Sequence, residues 1–383
     1  MVYRNFRLVI TAIILVLLSS MAQADIIIHL KDGRNIGLPY GPDEVESISF
    51  TKTGESSQKE SPPAPHLPAA PAAHLPSAPK PLVGATLRGG KRVLAVGKKH
   101  ILKVPSDAAR VAEDGDIIEI DAGLYEGDVA VWFKNNLTIR GIGGRPHIEA
   151  LGNNAEGKAT WVLKGANTTV ENIEFSGSRV SDNNGSGIRL EGAGLTVDHC
   201  LFHDNQIGLL TGSNGQSDVI IRNSEFAHNA LDSNQQQNPG HNVYIGAVRS
   251  FLLANSYVHN AVVGHNVKSR AARTTLMNNR IEDGATGSSS YLVDLPAGGV
   301  VLIKDNNFQK GKNAENMASI SYGAERPLYT ANELTVTGNN FINERFTGVF
   351  VDNRRDTVAQ IHHNHFKGGG VILRGKGDTS NNP

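Results

Sequence analysis

The chain has 383 residues, 37 basic and 37 acidic side chains, 41 glycines and one cysteine. A net charge of zero removes the electrostatic footprint of a general nucleic-acid binder, and a lone cysteine excludes an intrachain disulfide framework and any multi-cysteine zinc or iron–sulfur centre. Glycine at about 11%, above the usual ~7%, together with abundant asparagine, fits many turns and short strands better than long helices.

In chain order, residues 1–24 read as a secretory signal. Arg4 and Arg7 lead, an apolar run LVITAIILVLL follows, and Ala22-Gln23-Ala24 is a small-x-small cleavage pattern. The run falls short of the ~20 residues that span a bilayer, so the expectation is an exported chain, periplasmic or secreted, with no stable membrane span after signal removal. Residues 25–51 suggest a small strand-rich unit: apolar runs at 26–30 and 45–50, with a turn at 31–34. Residues 52–84 are dominated by Pro, Ala, Ser and Lys, a composition that favours extended polyproline II and reads as a semi-rigid linker. Residues 85–383 form the working domain.

An internal repeat governs that domain. An apolar residue followed by x-Asn-polar-x-Phe recurs, in exact or relaxed form, as VENIEF, VDHCLF, IRNSEF, LANSYV, LMNNRI, IKDNNF, VTGNNF and IHHNHF. The units end at Phe175, Phe202, Phe226, Val258, Ile281, Phe308, Phe341 and Phe366, spaced 27, 24, 32, 23, 27, 33 and 25 apart. Read as strands, with alternate residues on one face, these end residues form one stack. Two positions earlier lie Ile173, Cys200, Ser224, Ser256, Asn279, Asn306, Asn339 and Asn364. A column of asparagines bonding from coil to coil suits an inward turn of a strand solenoid, whereas helical repeats would need long 3.6-period segments. The expected fold is all-β: a right-handed, single-stranded parallel β-helix. Ahead of the repeats, Ser106 is expected to cap a helix over 107–113 whose Ala108, Val111 and Ala112 face plugs the open end, with a strand over 116–120 behind it.

The helix, the GDIIEI and GLYEG segments, LTIRG and the Asn-rich repeats resemble the pectin-lyase-like superfamily of right-handed parallel β-helix proteins, over about residues 95–375. That resemblance implies the fold and a carbohydrate-active context. It leaves the activity open among lyases, hydrolases, epimerases and non-catalytic proteins.

Chemistry concentrates where GHNVYIG (240–246) and GHNVKSR (264–270) repeat one coil apart and SYLVDLPAGG (290–299) follows. Stacking ~4.8 Å apart would bring His241 beside His265, Asn242 beside Asn266 and Tyr244 beside Lys268, with Tyr291 by His265 and Asp294 by Lys268. With Val243, Ile245, Val267, Val293 and Leu295 inward, Tyr244, Lys268, Arg270 and Asp294 point outward. A lyase for an acidic polysaccharide would use Arg270 on the uronate carboxylate, Lys268 or His265 as base, and Tyr291 or Tyr244 as proton donor. His241 would complete the catalytic group, and Asn242, Tyr244, Asn266 and Asp294 would contact substrate. The same residues also admit plain structural readings: each His-Asn bonding exposed backbone at a turn, Lys268–Asp294 a surface ion pair, and the tyrosines covering the sheet. No cofactor and no metal are expected. Alternation separates His362 from His363 and His365, and the acidic clusters of calcium-dependent pectate lyases are missing. The expected partner is a polysaccharide, acidic in character. A non-catalytic glycan-binding protein, a uronate epimerase and a glycoside hydrolase, whose second carboxylate is not evident, are the alternatives.

Overall fold

The computed structural model describes residues 26–29, 35–38, 85–229 and 240–383. The chain divides into two compact units, Met1–Ser77 and Ala78–Pro383. In the first, Ile26–His29 pairs antiparallel with Asn35–Leu38, so the partner strand begins at Asn35. The expected strand over 45–50, the signal and the linker lie outside the described residues.

Among the described residues, the second unit winds through three sheets of ten, thirteen and ten strands. We call these sheets 1, 2 and 3 in the order in which a coil visits them. One coil runs Gly264–Ser269 in sheet 1, Arg273–Met277 in sheet 2 and Arg280–Glu282 in sheet 3, then re-enters sheet 1 at Tyr291–Leu295. Successive coils pair in parallel throughout. This is the right-handed single-stranded parallel β-helix expected from the repeat.

The repeated unit is a corner rather than a single strand, which corrects the expectation. Leu276 lies near the end of a sheet-2 strand, Asn278 takes a left-handed backbone with φ of 55°, Asn279 turns inward, and Ile281 lies in sheet 3. Asn172, His199, Asn223, Asn255, Asp305 and His363 take the same conformation at their corners. Asparagine and aspartate tolerate it because a short polar side chain bonds locally, which explains why Asn recurs there.

The residue after each left-handed position forms the expected column. Asn279, Asn306, Asn339 and Asn364 each send both the main-chain N–H and Nδ2 to the Oδ1 of the next, with Asn382 of the C-terminal tail receiving the last pair, at 2.8–3.2 Å. Toward the N-terminus Ser256, Ser224 and Cys200 continue the column with hydroxyl acceptors. Cys200 is buried here, its thiol pushed up to about 12, chiefly by burial, which makes it an inert core residue. The aromatic stack also forms: Phe175, Phe202 and Phe226 lie 5.0 and 4.6 Å apart, and Phe308, Phe341 and Phe366 lie 4.7 and 5.1 Å apart.

The expected capping helix closes the N-terminal end, with different bounds and a different start. The helix spans Pro105–Val111, begun by Pro105 and tied down by the Asp107 carboxylate, which accepts from the N–H groups of Lys103 and Val104. Ala108 and Ala112 are buried, but Val111 is exposed. Ser106 lies inside the first turn, so it does not cap the helix; its N–H donates to Asp128. The strand behind it runs Ile117–Asp121, and a hairpin of Ala85–Arg88 with Lys91–Val96 forms the edge of sheet 2.

Replacing Asn306 by Ala removes the acceptor for two donors on Asn279 and the donor to Leu276 O and Asn339 Oδ1. At ~1–3 kcal/mol for each buried polar group left unmet, the variant should lose several kcal/mol, read as a lower urea midpoint. An unchanged midpoint would show that the ladder is dispensable.

Candidate active site

The sheet-1 strands carry the chemistry-bearing side chains. Their register pairs His241 with His265 and His265 with Tyr291, and Tyr244 with Lys268 and Lys268 with Asp294. Val243, Ile245, Val267, Val293 and Leu295 are fully buried in the core. At the start of each strand two successive residues face inward, Asn242-Val243, Asn266-Val267 and Leu292-Val293, so strict alternation begins only after them.

That local irregularity corrects the reading of Asn242 and Asn266. Both are wholly buried, and they belong to a second ladder at the corner between sheets 3 and 1. Asn205 Nδ2 donates to Asn229, Asn229 to Asn242 and Asn242 to Asn266, at 2.8–3.1 Å. Asn266 in turn reaches Asp283 at 3.3 Å. Asp283 is buried beside Lys310, whose Nζ donates to the carbonyls of Ser289 and Ser290. These two asparagines hold the scaffold and do not reach a ligand.

His241 and His265 stack with Tyr291, the ring centres 5.0 and 5.2 Å apart. Nδ1 of His241 accepts the N–H of His265 at 3.1 Å, and Nδ1 of His265 accepts the N–H of Tyr291 at 3.2 Å. A main-chain N–H only donates, so each Nδ1 must keep its lone pair and each ring is neutral with its proton on Nε2. Burial, and then the charges of Lys268 and Arg270, hold His241 down to about 3. Burial, followed by His241, Lys268 and Lys310, holds His265 well below its ordinary value. The Nε2 of His265 faces Asp294 Oδ2 at 3.4 Å. His265 therefore has no free lone pair with which to act as base, and both histidines serve as rigid, uncharged spacers between coils.

Around them lies a charged network. Lys268 Nζ meets Asp294 Oδ2 at 3.2 Å and Glu325 Oε1 at 4.0 Å. Arg270 grips both oxygens of Glu325 at 2.7 and 2.8 Å and donates to the Tyr244 hydroxyl. The Tyr244 ring lies under both cations, 5.6 Å from Lys268 Nζ and 5.3 Å from the Arg270 guanidinium. Burial raises the Asp294 carboxyl and Glu325 adds to the rise, against the pull of Lys268 and Arg270. Burial opposes the charge of Arg270, but its bonds to Glu325 raise its pKa all the same. Sequence reasoning missed Glu325 and Tyr329, whose hydroxyl donates to the Arg270 carbonyl. Both follow the strand Ala318–Tyr322 on a connection that no periodicity specifies. Of the insertion expected to wall the site, residues 232–239 lie outside the described residues.

With the geometry in view, likeness to solved structures identifies the architecture. Alginate lyase from Paenibacillus sp. str. FPU-7 matches with a TM-score of 0.56 at 15% identity, covering 75% of this chain and 98% of that one. Pectate lyase Pel9A matches with a TM-score of 0.53 at 14% identity, covering 73% and 74%. No protein-family model and no curated protein matches the sequence. The chain thus shares the parallel β-helix fold of these two lyases. No helix among the described residues is long and apolar enough to cross a membrane.

The buried histidine pair sets a pH dependence. Between the ordinary value of 6.5 and about 3, the unfolded chain protonates His241 while the folded chain does not, so acid favours unfolding. His265 acts in the same direction. Each contributes up to ~1.4 kcal/mol per pH unit within its window. His241→Asn keeps an acceptor for the His265 N–H and abolishes the titration. Urea midpoints measured from about pH 6.5 to pH 4 should therefore fall less steeply for this variant than for the parent; parallel curves would show that the ring is already charged in the folded state.

Proposed function

We propose that the chain is an exported carbohydrate-active protein whose sheet-1 cluster cleaves an acidic, uronate-containing polysaccharide by β-elimination. The observation that carries this reading is the seat that Arg270 offers a carboxylate. Glu325 is held there with both carboxylate oxygens on one guanidinium nitrogen, Nη2, while Nη1 bonds Tyr244, and Oε1 lies 4.0 Å from Lys268 Nζ. A uronate carboxylate taking that place brings its own α-carbon, C5 of the sugar, next to the amine. Lys268 Nζ then takes the C5 proton. The C–H electron pair forms the C4–C5 double bond as the C4–O bond breaks, and a tyrosine hydroxyl, from Tyr244 or Tyr291, gives a proton to the leaving oxygen. Asp294, raised by burial, takes the ammonium proton from Lys268 when a sugar covers the pair.

One observation favours a second reading, a glycoside hydrolase. Asp294 and Glu325 both reach the same Nζ, at 3.2 and 4.0 Å, so their oxygens lie no more than about 7 Å apart, a separation compatible with paired-carboxylate hydrolysis. Asp294, buried and raised, would be the acid, and the half-exposed Glu325 the base or nucleophile.

Variants at Glu325 separate the two. On a panel of alginate, polygalacturonate and other uronans, the lyase produces the ultraviolet absorbance of an unsaturated sugar. Lys268→Ala should then lose on the order of 10²–10⁴ in kcat. Glu325→Ala should lower KM, because it vacates Arg270. For a hydrolase, reducing ends appear without that absorbance, and Glu325→Ala lowers kcat instead. Turnover of no uronan by a folded protein overturns the lyase reading; binding without turnover would mark a glycan-binding protein, and altered sugars at unchanged chain length an epimerase.

A further inference from the structure

We infer that His147, Glu174 and His203, on the outer face of sheet 3, form a transition-metal site that ties three successive coils together through a zinc-type ion. His147 and Glu174 are register partners in neighbouring strands, His147–Glu149 and Glu174–Ser176. His203 comes from the next strand, Leu201–His203, and reaches diagonally back to Glu174. Glu174 Oε1 stands 3.5 Å from His147 Nδ1 and 3.0 Å from His203 Nε2. One ligand atom from each of the three lies within 4.8 Å of the others. Bonds of about 2.0–2.1 Å to imidazole and carboxylate in a tetrahedron require edges of about 3.3 Å, so the two measured edges already bracket the spacing that an ion imposes.

The second nitrogen of each ring supports the assignment. His203 Nδ1 is bonded to the Asp204 carboxylate at 2.6 Å, which places a proton there, so the neutral ring would turn the lone pair of Nε2, now hydrogen-bonded to Glu174 at 3.0 Å, to an ion. His147 Nε2 bonds Ser176 Oγ at 2.7 Å, leaving Nδ1 for the same point. Outer partners of this kind fix the tautomer and orientation of metal-ligating histidines. Two neutral imidazoles with two carboxylates leave a net negative charge for a cation to offset. Without a cation the cluster has another use for those charges: burial disfavours a proton on His203, but Asp204 and Glu174 together raise its pKa. Each of the three side chains is about one quarter exposed, so a fourth position would be open to water. Two histidines and a glutamate suit zinc or nickel better than calcium or magnesium, which take oxygen ligands.

The test uses the whole chain, freed of metal by a chelator and then titrated with Zn²⁺ by calorimetry, with Co²⁺ as a spectroscopic probe. The expected result is one ion per chain, a d–d absorption of low-coordinate Co²⁺, and a melting temperature that rises with Zn²⁺ concentration. Glu174→Gln with His203→Gln should abolish all three effects. Asp204→Asn and Ser176→Ala, which touch no metal, should weaken binding by about 10–100-fold. The circular dichroism of each variant distinguishes lost ligands from lost fold. Absence of stoichiometric binding by the parent, or binding undiminished in the folded double variant, would overturn the assignment and leave an ion-paired histidine.

Discussion

A coil of three short strands must turn corners, and each corner takes main-chain groups out of the strand ladders. Where those groups are buried they need partners, since an unmet buried donor or acceptor costs roughly 1–3 kcal/mol. Asparagine meets the need because one side chain offers both an acceptor and donors. Oδ1 of Asn306 takes the N–H and Nδ2 of Asn279, while its own Nδ2 reaches Leu276 O, Lys304 O and Asn339. The pattern works only when successive corners are stacked, so it fixes the height of each coil against the next. The Phe308–Phe341 stacking beside it adds dispersion but little directionality.

The outward cluster follows from that fixed height. Asn242 and Asn266 bond to each other inside the corner, and the histidines just before them apply the same device on the outside, with a ring nitrogen accepting the next coil's N–H. The repeated Gly-His-Asn is therefore scaffold chemistry twice over. It holds Tyr244, Lys268 and Asp294 in one column at fixed separations. Arg270 and Glu325 then close the network from the coil edge. Rigidity of this kind suits a site that must hold charges in place before a ligand arrives.

Much of the architecture was legible because coil spacing is written in residues that repeat. Phe202, Phe226 and Asn306 announce themselves by period, and the register of His241 with His265 follows from identical neighbours 24 residues apart. The inward turn of Asn242 was not legible, because alternation is a rule for strands and this residue sits where a corner becomes one. Glu325 was hidden for a related reason: it lies on a connection whose path depends on packing, with Tyr329 and Arg355 bonding Arg270 and Glu325 through main-chain carbonyls. The sheet-3 group was harder still. His147, Glu174 and His203 come from three coils, and His203 sits two residues along from the Glu174 column, so no linear spacing suggests the set. His362, His363 and His365 are clustered in sequence, yet His363 occupies a left-handed corner, and Asn364 beside it bonds into the ladder.

The two carboxylates of the sheet-1 network differ in a way that gives the cluster a direction. Asp294 sits mid-strand with its side chain 5% exposed, beside His265 and Lys268, and moving it would leave a buried cation without its counter-charge. Glu325 lies on a connection with its side chain 48% exposed, and an ion pair so open to water is worth only ~0–1 kcal/mol. An incoming anion therefore meets little resistance at Arg270 and much at Lys268. It would replace Glu325, not Asp294, and it would arrive beside a lysine still hydrogen-bonded to a buried acid. The resting network is neutral by count, with Lys268 and Arg270 against Asp294 and Glu325, yet the neutrality at Arg270 is the part that solvent already loosens. The Arg270–Glu325 contact is thus the loosest link of the network, and the one that the proposed acidic ligand would replace.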